Sequence, residues 1–252
     1  MQAITLAVLG TGFTFLMTAA GAAVVLAVRR QTPPLLEQLF LGFAAGVMLT
    51  VSLADLLPAA AAQYMEWMPA WAAAGAASSL CILGTVILLL ARRLLPQPQP
   101  GTGSILRTAV MVAAALAIHN LPEGMLTLLG GLQSPQRGLR LALAVALHNL
   151  PEGLAVSIPV GYALHSRWKG VAWALASGLA EPLGALLAMA ILRPILTPGL
   201  LNGTTALIAG IMCGACAAEL LPGGAAAGGS GHTGAGFAAG VAVMLVGLIV
   251  LA

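Results

Sequence analysis

Charge is what this chain has least of: of its 252 residues, only 7% are Asp, Glu, Lys or Arg. A soluble domain carries about 25%, so no water-facing surface can be assembled from this sequence. A mean hydropathy of +1.02 makes the same point. Cysteine is almost as scarce. Cys81, Cys213 and Cys216 all lie within apolar runs, which excludes a disulfide framework and leaves no clear compartment signal. Cys213 and Cys216 form a Cys-x-x-Cys, but within a Gly/Ala-rich helical stretch they read as small packing residues. Also missing is His-Glu-x-x-His, the ligand pair and base of a zinc protease. Asn, not Glu, follows the two histidines buried deepest in apolar sequence. An enzyme is therefore not expected. A nucleic-acid partner is not expected either, because the ten basic residues sit at the ends of apolar runs.

What is present is a series of such runs. Stretches 3–28, 70–91, 203–218 and 233–252 contain no acid or base, and 38–61, 108–132, 141–164 and 170–192 contain isolated polar residues. About 20 residues cross the hydrocarbon as a helix. Extending 203–218 through Glu219 to Pro222 gives eight expected transmembrane helices, an all-α integral membrane protein with one domain over 1–252. Punctuated loops are expected at 29–34, 92–104, 133–138, 193–199 and 221–231. With the N-terminus outside, the inner loops hold Arg29, Arg30, Arg92, Arg93, Arg107, Arg167 and Lys169, and the outer ones Arg137, Arg140 and Arg193. Seven against three favours both termini facing outward in a cell membrane. The opening run lacks a basic start and a small-residue cleavage site, so it is expected to remain as the first helix. Glycine, at 31 residues, suits close helix approach, and Gly42/Gly46 and Gly210/Gly214 are paired at GxxxG spacing.

Within the fourth and fifth runs stands one hexapeptide twice: His-Asn-Leu-Pro-Glu-Gly at 119–124 and again at 148–153. A charged group at the bilayer centre costs roughly 2.5–3.5 kcal/mol on insertion scales, so a duplicated placement has a purpose. Imidazole nitrogen, amide oxygen and carboxylate oxygen are ligands for divalent metals. On a helix His119 and Glu123 share a face, with Asn120 roughly 100° from His119. His148, Asn149 and Glu152 repeat that arc. Pro122 and Pro151 are expected to kink their helices and free the carbonyls of Ile118 and Leu147. Successive helices run in opposite directions, so the two sets meet as an antiparallel pair at similar depth. Of seven carboxylates, Asp55, Glu123, Glu152, Glu181 and Glu219 fall within spans. Glu181, followed by Pro182, reads as a further ligand at a bend in helix six. Asp55 lies towards the outer end of helix two and Glu219 towards the inner end of helix seven, positions suited to the entrance and exit of a polar path. Together these features imply passage of a divalent transition metal across the membrane. A metal-binding scaffold that never transports is the alternative, and an intramembrane metalloprotease the remoter one.

The words HNLPEGM at 119–125, HNLPEGLAVSIPV at 148–160, GLAEPLGA at 178–185, GFAAGVML at 42–49 and AELLPGG at 218–224 resemble the ZIP (Zrt/Irt-like) family of divalent metal transporters, most of all its bacterial ZupT-type branch. The resemblance implies pseudo-symmetric helices 1–3 and 6–8 around helices 4 and 5, outward termini and a homodimer. It implies a binuclear site: His119, Glu123, His148 and Glu152 at one position, with Met48 auxiliary, and Asn120, Asn149 and Glu181 at the other, Glu123 and Glu152 bridging. The implied cargo is Zn²⁺, or else iron, manganese, cobalt or cadmium, carried into the cytoplasm with no catalytic cofactor. Two departures stand out. Many members carry a His-rich cytosolic loop between helices three and four, and 94–104 here has no His. Many also have His before the helix-seven Glu, where this chain has Ala218.

Overall fold

The computed structural model describes residues 2–27, 34–94, 105–195, 197–226 and 230–250, and the secondary structure among them is entirely helical. Eight helices follow one another: α1 (Gln2–Ala27), α2 (34–64), α3 (Ala70–Leu94), α4 (Ile105–Gln133), α5 (Pro135–Ala163), α6 (167–195), α7 (198–226) and α8 (Ser230–Val250). Among the described residues, seven are long and apolar enough to cross a membrane: all but α4. The expected loop at 29–34 and most of that at 92–104 fall outside the described residues.

Two expected loops are much shorter than the composition suggested. Between α4 and α5 only Ser134 is non-helical, because its hydroxyl accepts from the Arg137 amide at 3.1 Å and Pro135 starts the next helix. Serine as cap and proline in the first turn, where no amide donor is needed, form a compact start. The stretch 221–231 is likewise mostly helix: Leu221–Ala226 continues α7 and α8 begins at Ser230. Thr197 caps α7 in the same manner, accepting from Leu200 at 3.2 Å ahead of Pro198.

Proline marks other places too. Helical assignment runs unbroken through Pro122 and Pro151. The interruptions are three π-turns, Ser52–Leu56 in α2, Ala188–Leu192 in α6 and Cys216–Leu220 in α7. Each ends two residues before a proline, at Pro58, Pro194 and Pro222. A proline ring collides with the carbonyl four residues earlier and offers no amide hydrogen. Widening the preceding turn relieves that clash. Helix α6 has a second break at Leu179, between Arg167–Gly178 and Ala180–Leu187, which is the bend expected beside Glu181.

Contacts between helices fix their relative directions. At one end Arg140 of α5 pairs with Asp55 of α2 at 3.6 Å, and the Tyr64 hydroxyl donates to the Gly199 carbonyl at 3.3 Å. At the other, Arg92 of α3 pairs with Glu219 of α7 at 3.7 Å, Arg167 of α6 donates to the Leu26 carbonyl of α1 at 3.1 Å, and His232 of α8 meets Gln38 of α2 at 3.2 Å. Consecutive helices therefore alternate. Among those seven, helix α5 is the most enclosed, with 72% of its apolar window buried, against 28% for α3 and 22% for α8.

Glycines set the closest approaches. A Cβ on Gly21 would strike the Leu150 carbonyl and one on Gly153 the Thr18 carbonyl, so α1 and α5 touch backbone to backbone. Gly124 against the Glu181 carbonyl and Gly184 against that of Leu121 do the same for α4 and α6. Gly42 and Gly46 lie on the backbone of α8, and Gly210 on the Cys81 carbonyl of α3. The glycines at GxxxG spacing thus pack helices within one chain.

Candidate metal centre

Helices α4 and α5 bring their hexapeptides together in the middle of the bundle. Glu123, His148 and Glu152 each offer a ligand atom, and these atoms all lie within 4.8 Å of one another. All three residues are buried, Glu123 and His148 completely. The imidazole is oriented from behind: His148 Nδ1 lies 3.1 Å from the Ala144 carbonyl. A carbonyl only accepts, so that contact places a proton on Nδ1 and turns Nε2 towards the carboxylates. Nε2 is 3.1 Å from Glu123 Oε1 but not aligned with it as a hydrogen bond.

Glu181 of α6 closes the site from a third side. It is fully buried, and its Oε1 accepts from Asn149 Nδ2 at 2.7 Å and from Thr18 Oγ1 at 3.3 Å. The Thr14 hydroxyl lies beside the carboxylate but donates to the Thr11 carbonyl at 2.9 Å. Asn149 Nδ2 is held in turn by the Thr14 carbonyl at 3.1 Å. The amide is thereby oriented with its nitrogen to the frame and its oxygen inward. Glu181 is within electrostatic reach of both Glu123 and Glu152.

Several buried polar atoms here have no hydrogen-bond partner among the described residues: Asn120 Oδ1 and Nδ2, His148 Nε2, Asn149 Oδ1 and Glu181 Oε2. Folded proteins leave few such groups, and each calls for an ion, a water or a catalytic role. Here the orphans are amide and carboxylate atoms and an imidazole nitrogen, the donor types of a borderline divalent cation.

Of the residues singled out in the sequence, Asn120, Glu123, His148, Asn149, Glu152 and Glu181 are all buried; Glu123, His148 and Glu152 form one group, and Asn149 and Glu181 are joined to each other by a hydrogen bond. His119 lies on α4, but its side chain is outside the described residues. Met48 is 1% exposed and belongs to the apolar cluster of α2 and α7 with Met212 and Cys216. Asp55 and Glu219 are not in the centre. Each sits in a π-turn near a helix end and is paired with an arginine. Residues not picked out from sequence are Thr14 and Thr18 of α1, which hold Asn149 and Glu181. Their signal was available: Thr11, Thr14 and Thr18 recur at helical spacing in an otherwise apolar run, and all three are buried.

Comparison with known proteins agrees with this geometry. A family profile described as ZIP Zinc transporter matches residues 97–208, the stretch holding both hexapeptides and Glu181. The chain is 39% identical over 249 residues to the zinc transporter ZupT of Corynebacterium aurimucosum, covering 92% of each. It is 37% identical over 252 residues to that of Chlorobium phaeovibrioides, covering 94% of each. To the ZupT of Escherichia fergusonii it is 39% identical over 192 residues, 72% of each. With long buried apolar helices, a shared donor cluster and relatives matched along most of their length, the chain belongs to the ZIP zinc transporter family.

Proposed function

We propose that this chain carries a divalent transition metal, zinc foremost, across the cell membrane into the cytoplasm through the centre formed by α4, α5 and α6. The observation that carries the proposal is the convergence of Glu123, His148 and Glu152 within 4.8 Å, beside Glu181, whose carboxylate Asn149 and Thr18 hold. The protein is a transporter and not an enzyme. An arriving ion exchanges water for His148 Nε2 and the oxygens of Glu123 and Glu152, with His119 as the fourth ligand. Asn120, Asn149 and Glu181 form a neighbouring position that shares the two bridging carboxylates. Ligands bind in their deprotonated forms, so loading releases protons. A divalent charge among three buried carboxylates offsets a repulsion that is otherwise severe in a low dielectric.

The proposed frame is one domain of eight spans, α4 being the eighth at 29 residues. Pseudo-symmetry of α1–α3 with α6–α8 is supported by matched parts. Residues 54–58 read Ala-Asp-Leu-Leu-Pro and 218–222 read Ala-Glu-Leu-Leu-Pro, each acid within a π-turn. Helix α2 packs on α8 through glycine as α7 packs on α3, and α1 on α5 as α6 on α4. Outward termini are supported by Arg92, Arg93, Arg167 and Lys169 lying at the end opposite Arg137 and Arg140, since cytoplasmic ends attract basic residues. Asp55 and Glu219 then serve as outer and inner stations, with Met48 as a soft neighbour and a homodimer as the working unit.

Radiometal uptake into proteoliposomes tests the proposal, comparing Zn²⁺, Fe²⁺, Mn²⁺ and Cd²⁺ for the parent with His119→Ala and Glu152→Ala. Saturable uptake lost in both variants is expected. Binding without flux would instead make the chain a scaffold, and equal uptake by parent and His119→Ala would refute the site.

A further inference from the structure

We propose that Arg140 is a positioning residue for transport: it occupies the Asp55 carboxylate and holds α5 to α2 until an arriving divalent cation takes its place. The inference rests on the proposed role of Asp55 as the outer station and names what controls that station.

Backbone contacts sort the helices into two sets. Gly21 and Gly153 join α1 to α5, Gly124 and Gly184 join α4 to α6, and Gly170 of α6 lies on the Ser157 carbonyl of α5. In the other set Gly42, Gly46, Gly236 and Gly240 join α2 to α8, and Gly84 and Gly210 join α3 to α7. Among the described residues, no glycine approach crosses from one set to the other. Where α2 packs on α5 the contact is made by side chains, with Val47, Val51 and Leu56 in one apolar cluster with Leu141 and Ala144. Apolar contact is non-directional, so a charged pair across that seam favours one register of α5 against α2.

Arg140 and Asp55 are such a pair. Their charged atoms lie 3.6 Å apart, and the side chains are 26% and 16% exposed. The separation is longer than a hydrogen bond, so the pair is loose and open to exchange. A divalent ion at Asp55 presents twice the charge of a guanidinium and repels Arg140. Arg140 stands eight residues ahead of His148, about 12 Å along the same helix and within about 80° around it. Its release therefore frees the helix that bears His148 and Glu152.

The pair at the opposite end differs. Arg92 and Glu219, at 3.7 Å, join α3 to α7, helices that Gly84 and Gly210 already hold together. Eight residues ahead of His119 stands Met111, so α4 has no arginine at the place of Arg140.

The test is ⁶⁵Zn uptake into proteoliposomes holding full-length parent, Arg140→Gln, Arg140→Met, Arg140→Lys or Asp55→Asn, with KM and maximal rate read separately. The neutral variants free Asp55, so KM should fall by about fivefold, the upper scale of a partly exposed ion pair. The maximal rate should fall as well, because nothing then draws α5 back to α2 behind the ion. Arg140→Lys should keep the parent's KM within about twofold, and Asp55→Asn should raise it. A merely structural bridge would not give opposite signs, since breaking it from either side has the same effect. Elution from a sizing column checks each fold. With the parent transporting, a KM unchanged or raised in Arg140→Gln and Arg140→Met, or misfolding of both, would overturn the inference alone. No saturable uptake by the parent would overturn the transport reading and this inference with it.

Discussion

Exchanging Glu181 for glutamine separates charge from architecture at the centre. The amide retains an oxygen where Oε1 accepts from Asn149 at 2.7 Å and from Thr18 at 3.3 Å, so the supporting hydrogen bonds survive. What changes is Oε2, the oxygen without a partner among the described residues, which becomes a neutral NH₂. A unit charge about 5 Å from a divalent ion, at an effective dielectric of about 20, is worth about 7 kcal/mol. The desolvation already imposed on a buried carboxylate returns several kcal/mol of that. A net loss of about 2–4 kcal/mol remains, equal to a weakening of metal binding by about 30- to 900-fold at 1.36 kcal/mol per decade. Zinc affinity measured by calorimetry in detergent, beside ⁶⁵Zn uptake in proteoliposomes, reads the effect directly. The fold should be unaffected, with thermal stability equal to or above the parent's, because one buried repulsive charge has gone. Glu181→Gln with affinity and uptake within threefold of the parent would refute the reasoning, since Glu181 would then be no part of the ion's environment.

Other consequences follow from the same geometry. His148→Ala removes the one described nitrogen of the cluster and leaves Glu123 and Glu152 with only His119 of the four proposed ligands, so uptake should fall by at least about 100-fold, consistent with breaking a buried charged contact. Equal KM and maximal rate for that variant would be incompatible with the site. Gly124→Ala places a methyl group into the Glu181 carbonyl and should abolish folded protein on a sizing column. Gly75→Ala meets nothing within 4 Å and should be neutral or gain up to about 1 kcal/mol from helix propensity. Thr18→Val keeps the size of a residue against α5 but removes a donor to Glu181, which should weaken zinc affinity several-fold without loss of fold. Asp55→Asn disconnects Arg140 at the end proposed to face outward, and uptake should suffer chiefly at low zinc concentration, seen as a raised KM.

The sequence alone determined the solvent and the chemistry. A charged fraction of 7% leaves lipid as the only surroundings for most of this chain, and two copies of His-Asn-Leu-Pro-Glu-Gly declare their ligands by i, i+4 spacing, a property of one helix with no need of a neighbour. Glu181 was legible for the same reason, as a carboxylate that no apolar run accommodates without a partner. Proline was legible only in part: the rule that it strains a helix is local, but where a turn widens ahead of one is decided by what packs around it. Helix continues through Pro122 and Pro151, while α2 and α7 widen ahead of Pro58 and Pro222. Only the tertiary structure placed Thr18 on Glu181, paired Arg140 with Asp55 and Arg92 with Glu219, and turned the Cys216 thiol to the Ala45 carbonyl. Those contacts join residues far apart in the chain, and no periodicity along a single helix encodes which carbonyl of another helix its glycines will meet. Hydrocarbon offers a stray polar group no hydrogen bond, so each one is decided by the backbone approach that brings a partner within reach.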